Sequence, residues 1–316
     1  MPIYTGHGSA LGLAEETTWG TPVARTNWLT MLSCSLERSI EYVPRANLGR
    51  KAATSWMRRA HYTSTDNVEG DFEWEVAYDD SSIMLLKHLL WGMATTGAGP
   101  TYTHTATISA TAPTGLTVEK ILGDGNGEVF EGVLIAEGSL RIAAGGIMTG
   151  RVRLIGETGG GLVTAGTPTY SSNGNLVKHE HAGQFAFNSQ NYDLLDMEVT
   201  LRRALDRRLL LGSKLTKKPI ASSWTEVTAR LTTEYDRTNP HSDYSANTQG
   251  DGTITFTDAT RSMAFTLQNM YTTRLTKTLS SPGVIRESWD VVCESDGTDE
   301  GLKIATVNGN SSATAN

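Results

Sequence analysis

The chain has 316 residues, of which only 19% are charged and 32 are glycine. That balance, with dense Thr, Ser and Ala, suits sheets and tight turns better than long helices, and the length allows two domains that can each bury a core. A net charge of −7 excludes a module that grips nucleic acid through a basic surface.

In chain order, residues 1–30 read as a Gly/Thr-rich arm carrying Trp19 and Trp28, a composition that suits a segment ordered by a partner. The opening lacks the cationic and apolar stretches of a secretory leader, and no apolar run approaches the ~18 residues of a membrane span. Folding in the cytoplasm is therefore expected, with Cys34 and Cys293 as two buried thiols. A first β-rich domain is predicted over 31–157. Within it Val68, Gly70, Phe72, Trp74 and Val76 share one face of a strand, and Glu69, Asp71, Glu73 and Glu75 share the other, the pattern of a sheet with one greasy and one wet side. Asp80-Ser81-Ser82 offers helix-capping chemistry before an apolar run at helical spacing, so one amphipathic helix is predicted over about 79–93. Strands follow at 116–122 and 128–135 across Gly123-Asp124-Gly125-Asn126-Gly127, then at 138–144 and 147–156 across Gly145-Gly146.

Residues 158–180 are polar, Gly-rich and aperiodic, the character of a linker. A second β-rich domain is predicted over 181–307, with strands near 183–187, 195–203, 224–236, 252–256, 262–268, 271–279 and 284–294. Thr238-Asn239-Pro240 breaks the pattern where a second helix would fall. Residues 308–316 read as a disordered tail.

The two domains look like copies of each other. Leu36-Glu37-Arg38 resembles Leu201-Arg202-Arg203, Leu48-Gly49-Arg50-Lys51 resembles Leu211-Gly212-Ser213-Lys214, and the Val68–Trp74 alternation resembles Val227–Thr233. The offsets are 165, 163 and 159 residues, too long for a solenoid unit and close to half the chain.

Catalytic and metal-binding patterns are weak. His179 and His181 would share a face on a strand, as a metal pair needs, but no third ligand is near in sequence. Asp124-x-Asn126-x-Glu128 is too short for a calcium loop, and no nucleophile elbow or phosphate-binding loop is present. No catalytic residue, cofactor or metal is expected. Two basic runs stand out instead: Arg45, Arg50, Lys51, Arg58 and Arg59 in the first copy, and Arg202, Arg203, Arg207, Arg208, Lys214, Lys217 and Lys218 in the second. They follow the first strand of each copy, and in an acidic protein they suit loops that meet acidic surfaces of neighbouring subunits.

The opening Gly12-Leu13-Ala14-Glu15-Glu16-Thr17-Thr18-Trp19-Gly20-Thr21-Pro22-Val23 resembles the start of tail tube (major tail) proteins of long non-contractile-tailed phages. Weaker matches are Leu116–Lys120, Phe130–Leu134, Gly150-Arg151-Val152 and the segment 197–235. The resemblance implies a mainly β protein of two tandem β-sandwich domains, with an amphipathic helix at least in the first. It implies rings stacked into a hollow conduit for DNA in the virion tail, assembled in the host cytoplasm. Implied partners are further copies of the chain, a tape measure protein, and tail terminator or distal tail proteins. DNA would pass without specific binding, and no membrane is involved. Trp19, with the arm, and Arg45, Arg50, Lys51, Arg58, Arg59, Arg207, Arg208, Lys214, Lys217 and Lys218 are the expected inter-subunit or inter-ring contacts. Because the chain is about twice as long as small members of this family, three chains per ring with pseudo-sixfold symmetry are expected rather than six. Rival readings are another virion ring protein, a glycan-binding adhesin using its tryptophans, or a metal enzyme at His179 and His181.

Overall fold

Alternation between apolar and acidic residues along His61–Glu75 sets the pattern for the whole molecule: Val68, Phe72 and Trp74 are buried, while the acids between them face outward. The computed structural model describes residues 8–44, 61–98, 101–170, 175–235, 239–279, 284–297 and 300–309. The first half contains β1 (Ala10–Glu15), β2 (Asn27–Leu29), β3 (Met31–Cys34), β4 (Glu37–Pro44), β5 (His61–Glu75) and α1 (Asp80–Leu90). It continues through β6 (Trp91–Ala98), β7 (Thr101–Ile108), β8 (Leu116–Ile121), β9 (Asn126–Ala143), β10 (Thr149–Gly156) and β11 (Thr158–Thr164). The second half contains β12 (Phe185–Phe187), β13 (Gln190–Tyr192), β14 (Leu194–Arg208), β15 (Lys217–Glu234) and α2 (Asn239–Ala246). It ends with β16 (Gly250–Asp258), β17 (Arg261–Thr278), β18 (Arg286–Cys293) and β19 (Leu302–Asn308). The protein is mainly β, as the sequence indicated.

Strand pairing repeats between the halves. An inner sheet runs β4-β5-β10-β9 in the first and β14-β15-β18-β17 in the second. An outer sheet runs β2-β1-β8-β9-β11 in the first and β13-β12-β16-β17-β19 in the second. The long strands β9 and β17 serve both sheets, and each has a pairing irregularity at the matching place, beside Arg153/Leu154 and Thr272/Arg274. The registers align β5 with β15 at 159 residues, β4 with β14 at 163, and β9 and β10 with β17 and β18 at 137. Leu36 thus corresponds to Val199, not to Leu201; the 165-residue match was two residues out, which keeps the same face of the strand.

The halves are also hydrogen-bonded to each other. β9 pairs with β14, joining the two inner sheets into one of eight antiparallel strands, and β19 pairs with β7 on the outer side. A single apolar core, including Trp74, Phe130, Phe185, Phe265 and Trp289, spans both halves.

Several stretches are more ordered than their composition indicates. Residues 8–30, read as an arm, contribute β1 and β2, with Leu11 and Leu13 fully buried. Residues 158–180, read as a linker, contain β11 and a short ladder in which Val177 bonds Val76 and Met148. Asn308, assigned to the tail, ends β19 and is buried against His104 and Tyr78. The helix break expected at Thr238-Asn239-Pro240 is corrected by α2: proline near a helix start forfeits a donor that has no helical partner anyway. α1 starts from Asp79, whose carboxylate accepts Ser82 N at 2.9 Å, and stops at Trp91 in the left-handed conformation.

His88 lies on the buried face of α1 with no exposed surface. Burial, with Lys87 and Lys218 nearby, pushes its pKa down to about 3. Glu15 is 3.8 Å from its Nε2, but that carboxylate is held by Lys87 Nζ at 2.6 Å and does not offset the burial. The unfolded chain therefore binds a proton that the folded chain refuses, and stability falls as pH drops below ~6.5 by up to about 1.4 kcal/mol per unit. Denaturant titrations from pH 7 to 4 should show His88→Leu with a slope shallower by that amount; parallel curves would remove His88 from the account.

Candidate functional site

The outward face of the eight-stranded sheet carries charge in ordered rows. Reading straight across the strands, one row is Asp71, Arg153, Glu137, Arg202 and Glu226. A second is Arg141, Glu198, Arg230, Asp290 and Arg274. Each acid stands directly opposite a base, the arrangement that stabilises neighbouring strands, whereas like charges there destabilise them. Both rows cross from the first half to the second at the β9–β14 seam. Lateral pairs extend the rows to flanking residues: Arg141 reaches Asp196 at 3.1 Å, Arg151 binds Asp71 and Arg153 binds Glu69. Hydrogen bonds from Arg153 to Glu69, and from Ser35 and Arg151 to Asp71, hold both carboxyls below their ordinary range. The face is thus charged but locally compensated, and no continuous basic track runs across it. These rows depend on long-range register, and nothing local in the sequence marks them.

The sheet ends in two open edges. Among the described residues, β4 pairs only with β5, and the segment of β17 from Tyr271 to Thr278 pairs only with β18. On the β4 side Lys120 Nζ donates to Leu36 O at 2.9 Å, a lysine guarding an unpaired edge. The β14–β15 hairpin runs past its neighbouring strands and its turn rests on β5, where Asp66 N donates to Lys214 O at 3.0 Å; apolar side chains stand bare at the turn and, for Trp224, nearer the base. Leu209 and Leu210 are half-exposed, Leu211 is fully exposed and Trp224 is 90% exposed.

The expected contact residues separate into three groups. Arg45, Arg50, Lys51, Arg58 and Arg59, with the rest of the loop 45–60, lie outside the described residues. Trp19, Arg207 and Lys218 are engaged within the chain. Trp19 lies against Gly115 and Gly132, where a Cβ would come within about 3 Å of its ring. Arg207 binds Glu69 at 3.0 Å, and Lys218 Nζ donates to Ala112 O at 3.0 Å with its pKa lowered by burial. Arg208, Lys214 and Lys217 are exposed around the hairpin end, where Arg208 donates to Lys218 O at 2.8 Å. Arg203, read as part of a basic surface run, is 3% exposed and caps α1 through the carbonyls of Leu89 and Leu90.

The opening motif has a structural role. Glu16 is buried and accepts from Gly20 N, Gly132 N and Thr117 Oγ1 at 2.8–3.1 Å. It pins the Thr17–Trp19 turn onto the bend of β9 at Gly132, whose φ of 59° is left-handed.

His179–His181 forms a 3₁₀ turn rather than a strand, and His181 Nδ1 is 3.1 Å from Tyr78 Oη. Among the described residues no group of three or more His, Cys, Asp or Glu side chains is arranged to hold a metal, and no helix is long and apolar enough to cross a membrane. A sugar platform needs bare aromatic rings; Trp28, Trp74, Trp91 and Trp289 are buried, and Trp224 stands bare on the hairpin.

A mainly β structural subunit, built of two like halves and presenting sheet edges and a bare hairpin, is the class this arrangement defines. Residues 6–301 match the family model of the phage tail tube protein, and the chain belongs to that family. No curated protein matches it in sequence. Its role is structural, as a component of the virion tail that self-assembles into a tube.

Proposed function

We propose that the chain is two tandem copies of one tube domain, and that three chains close a ring of six like units. The observation that carries this reading is the strand-for-strand match between β4-β5-β10-β9 and β14-β15-β18-β17. One chain then occupies two neighbouring positions of a closed cyclic assembly, and the β9–β14 pairing is one of six similar seams. The outward charged face lines the lumen. Its alternating rows leave phosphate no basic track to settle on, so DNA slides rather than sticks; bound phosphate would release counterions and hold the duplex in a salt-dependent way. Rings stack through the β14–β15 hairpin, with its exposed Arg208, Lys214 and Lys217, and through the loop 45–60, with Arg45, Arg50, Lys51, Arg58 and Arg59. Trp19 acts indirectly, by fixing the turn that precedes β2. The tube would end on tail terminator and distal tail proteins, enclose a tape measure protein, and assemble in the host cytoplasm.

Electron microscopy of the assembled protein, combined with its mass in solution, tests this. Rings of three chains whose density approximates sixfold symmetry are the expected result. Rings of six separate chains would refute the trimer, and a chain that stays monomeric at high concentration would refute self-assembly without an initiator.

A further inference from the structure

The internal seam supplies a template for the seam between chains. At β9–β14 the register places Met197 opposite Ile142, Thr200 opposite Ser139 and Arg202 opposite Glu137. β14 corresponds to β3 and β4 at 163 residues, and β9 corresponds to β17 at 137 residues. Transposing both strands turns these pairs into Cys34 opposite Leu279, Glu37 opposite Thr276 and Ser39 opposite Arg274. Resting on the ring reading above, we infer that residues 34–39 of one copy pair antiparallel with residues 274–279 of the next copy in that register.

Three observations favour this occupant. The two segments are the open edges of the eight-stranded sheet. Ile142 is 6% exposed beneath β14, whereas its counterpart Leu279 is 76% exposed, an apolar side chain at an edge with none of the described residues over it. Charge is also complementary: the second row of alternating charge ends on Arg274, and this register sets Arg274 diagonally between Glu37 and Glu41 of the neighbour, within reach of a long side chain. Lys277 falls opposite Leu36 and already turns its ammonium back over the Tyr235 ring of its own chain, 4.7 Å from the centroid. Leu36 O, now held by Lys120, would pass to a backbone donor, leaving Lys120 its 2.7 Å pair with Glu128.

Cysteine crosslinking reads the register directly. Opposed residues in an antiparallel pair have Cα atoms about 4.5–5.5 Å apart, inside the range a disulfide spans. Cys34 is a native free thiol, and Leu279 is exposed enough that Leu279→Cys should fold. Under a mild oxidant, assembled L279C should give covalent dimers and trimers on non-reducing gels, and L279C with Cys34→Ser should give none. Lys277→Cys reports a two-residue slip and should remain uncrosslinked. If the protein forms rings but L279C does not crosslink, or K277C crosslinks in its place, the register is wrong while the tube reading stands. If the wild-type chain forms no ring, both fall together.

Discussion

Arg203→Ala should lower the unfolding free energy by about 2–4 kcal/mol, from a buried carbonyl left without its donor at about 1–3 kcal/mol together with the void left in the packing. Arg203 enters from β14 in the second half and meets the end of α1 in the first. Its two terminal nitrogens donate to Leu89 O and, at 2.9 Å, to Leu90 O, and its guanidinium carbon is 4.2 Å from the centre of the Trp91 ring. Burial pulls its pKa down to about 10. Among the described residues it has no carboxylate partner; the negative end of the helix and the face of the indole offset its charge instead. Alanine would strip Leu89 O of this donor, leave Leu90 O with Ser109 N alone at 2.9 Å, and open a void beside Trp91. Arg203→Met restores much of the packing but neither hydrogen bond, so the gap between the Ala and Met variants in denaturant unfolding measures the packing part alone. A loss under 1 kcal/mol for Ala would mean that water or a neighbour replaces the fork. The position equivalent to Arg203 on β4 is Ile40, so the lock occurs only at the internal seam. That asymmetry fits one seam made once on folding and another that has to form on assembly.

What the sequence disclosed depended on how local each signal was. The β5 alternation was legible because one face is buried and the other wet, and that strand fixed the 159-residue repeat that the pairing reproduces. α2 was not legible: among its described side chains only Pro240 is buried, so there is no apolar period to find, and its proline argued the wrong way. β9 and β17 were each divided in two, because pairing irregularities and polar residues interrupt the pattern while the backbone continues into the second sheet. Arg203 was indistinguishable from its exposed neighbours Arg202 and Arg208, since a run of charge does not say which side chain turns inward to a helix end. The charge rows and open edges were beyond reach, being properties of residues brought together across eight strands. The family motif was read correctly as a marker, yet its mechanics needed Gly132, more than a hundred residues away in sequence from Glu16.

Replacing Leu209, Leu210, Leu211 and Trp224 with serine should leave a folded chain that closes rings and fails to stack them. The direction of the strands decides this. If the sheet continues edge to edge around a ring, its strands run along the tube axis with the tilt common to barrels, so a hairpin end points toward the adjacent ring. This hairpin carries three consecutive leucines at its turn, one of them fully exposed, and a tryptophan 90% exposed nearer its base, apolar surface that a soluble monomer rarely leaves bare. Each such side chain contributes about 1.5–3 kcal/mol when fully covered. In a three-chain ring the loss recurs at every hairpin, so even partial coverage makes the summed effect on stacking far larger than the effect on one fold. Because none of the four side chains lies in the core, thermal unfolding of the variant should match the wild type within ~0.5 kcal/mol. Negative-stain images should then show single rings where the wild type gives tubes. Tubes of ordinary length from the variant would move the stacking contact elsewhere, and a chain that fails to close rings would place the hairpin at the seam within a ring.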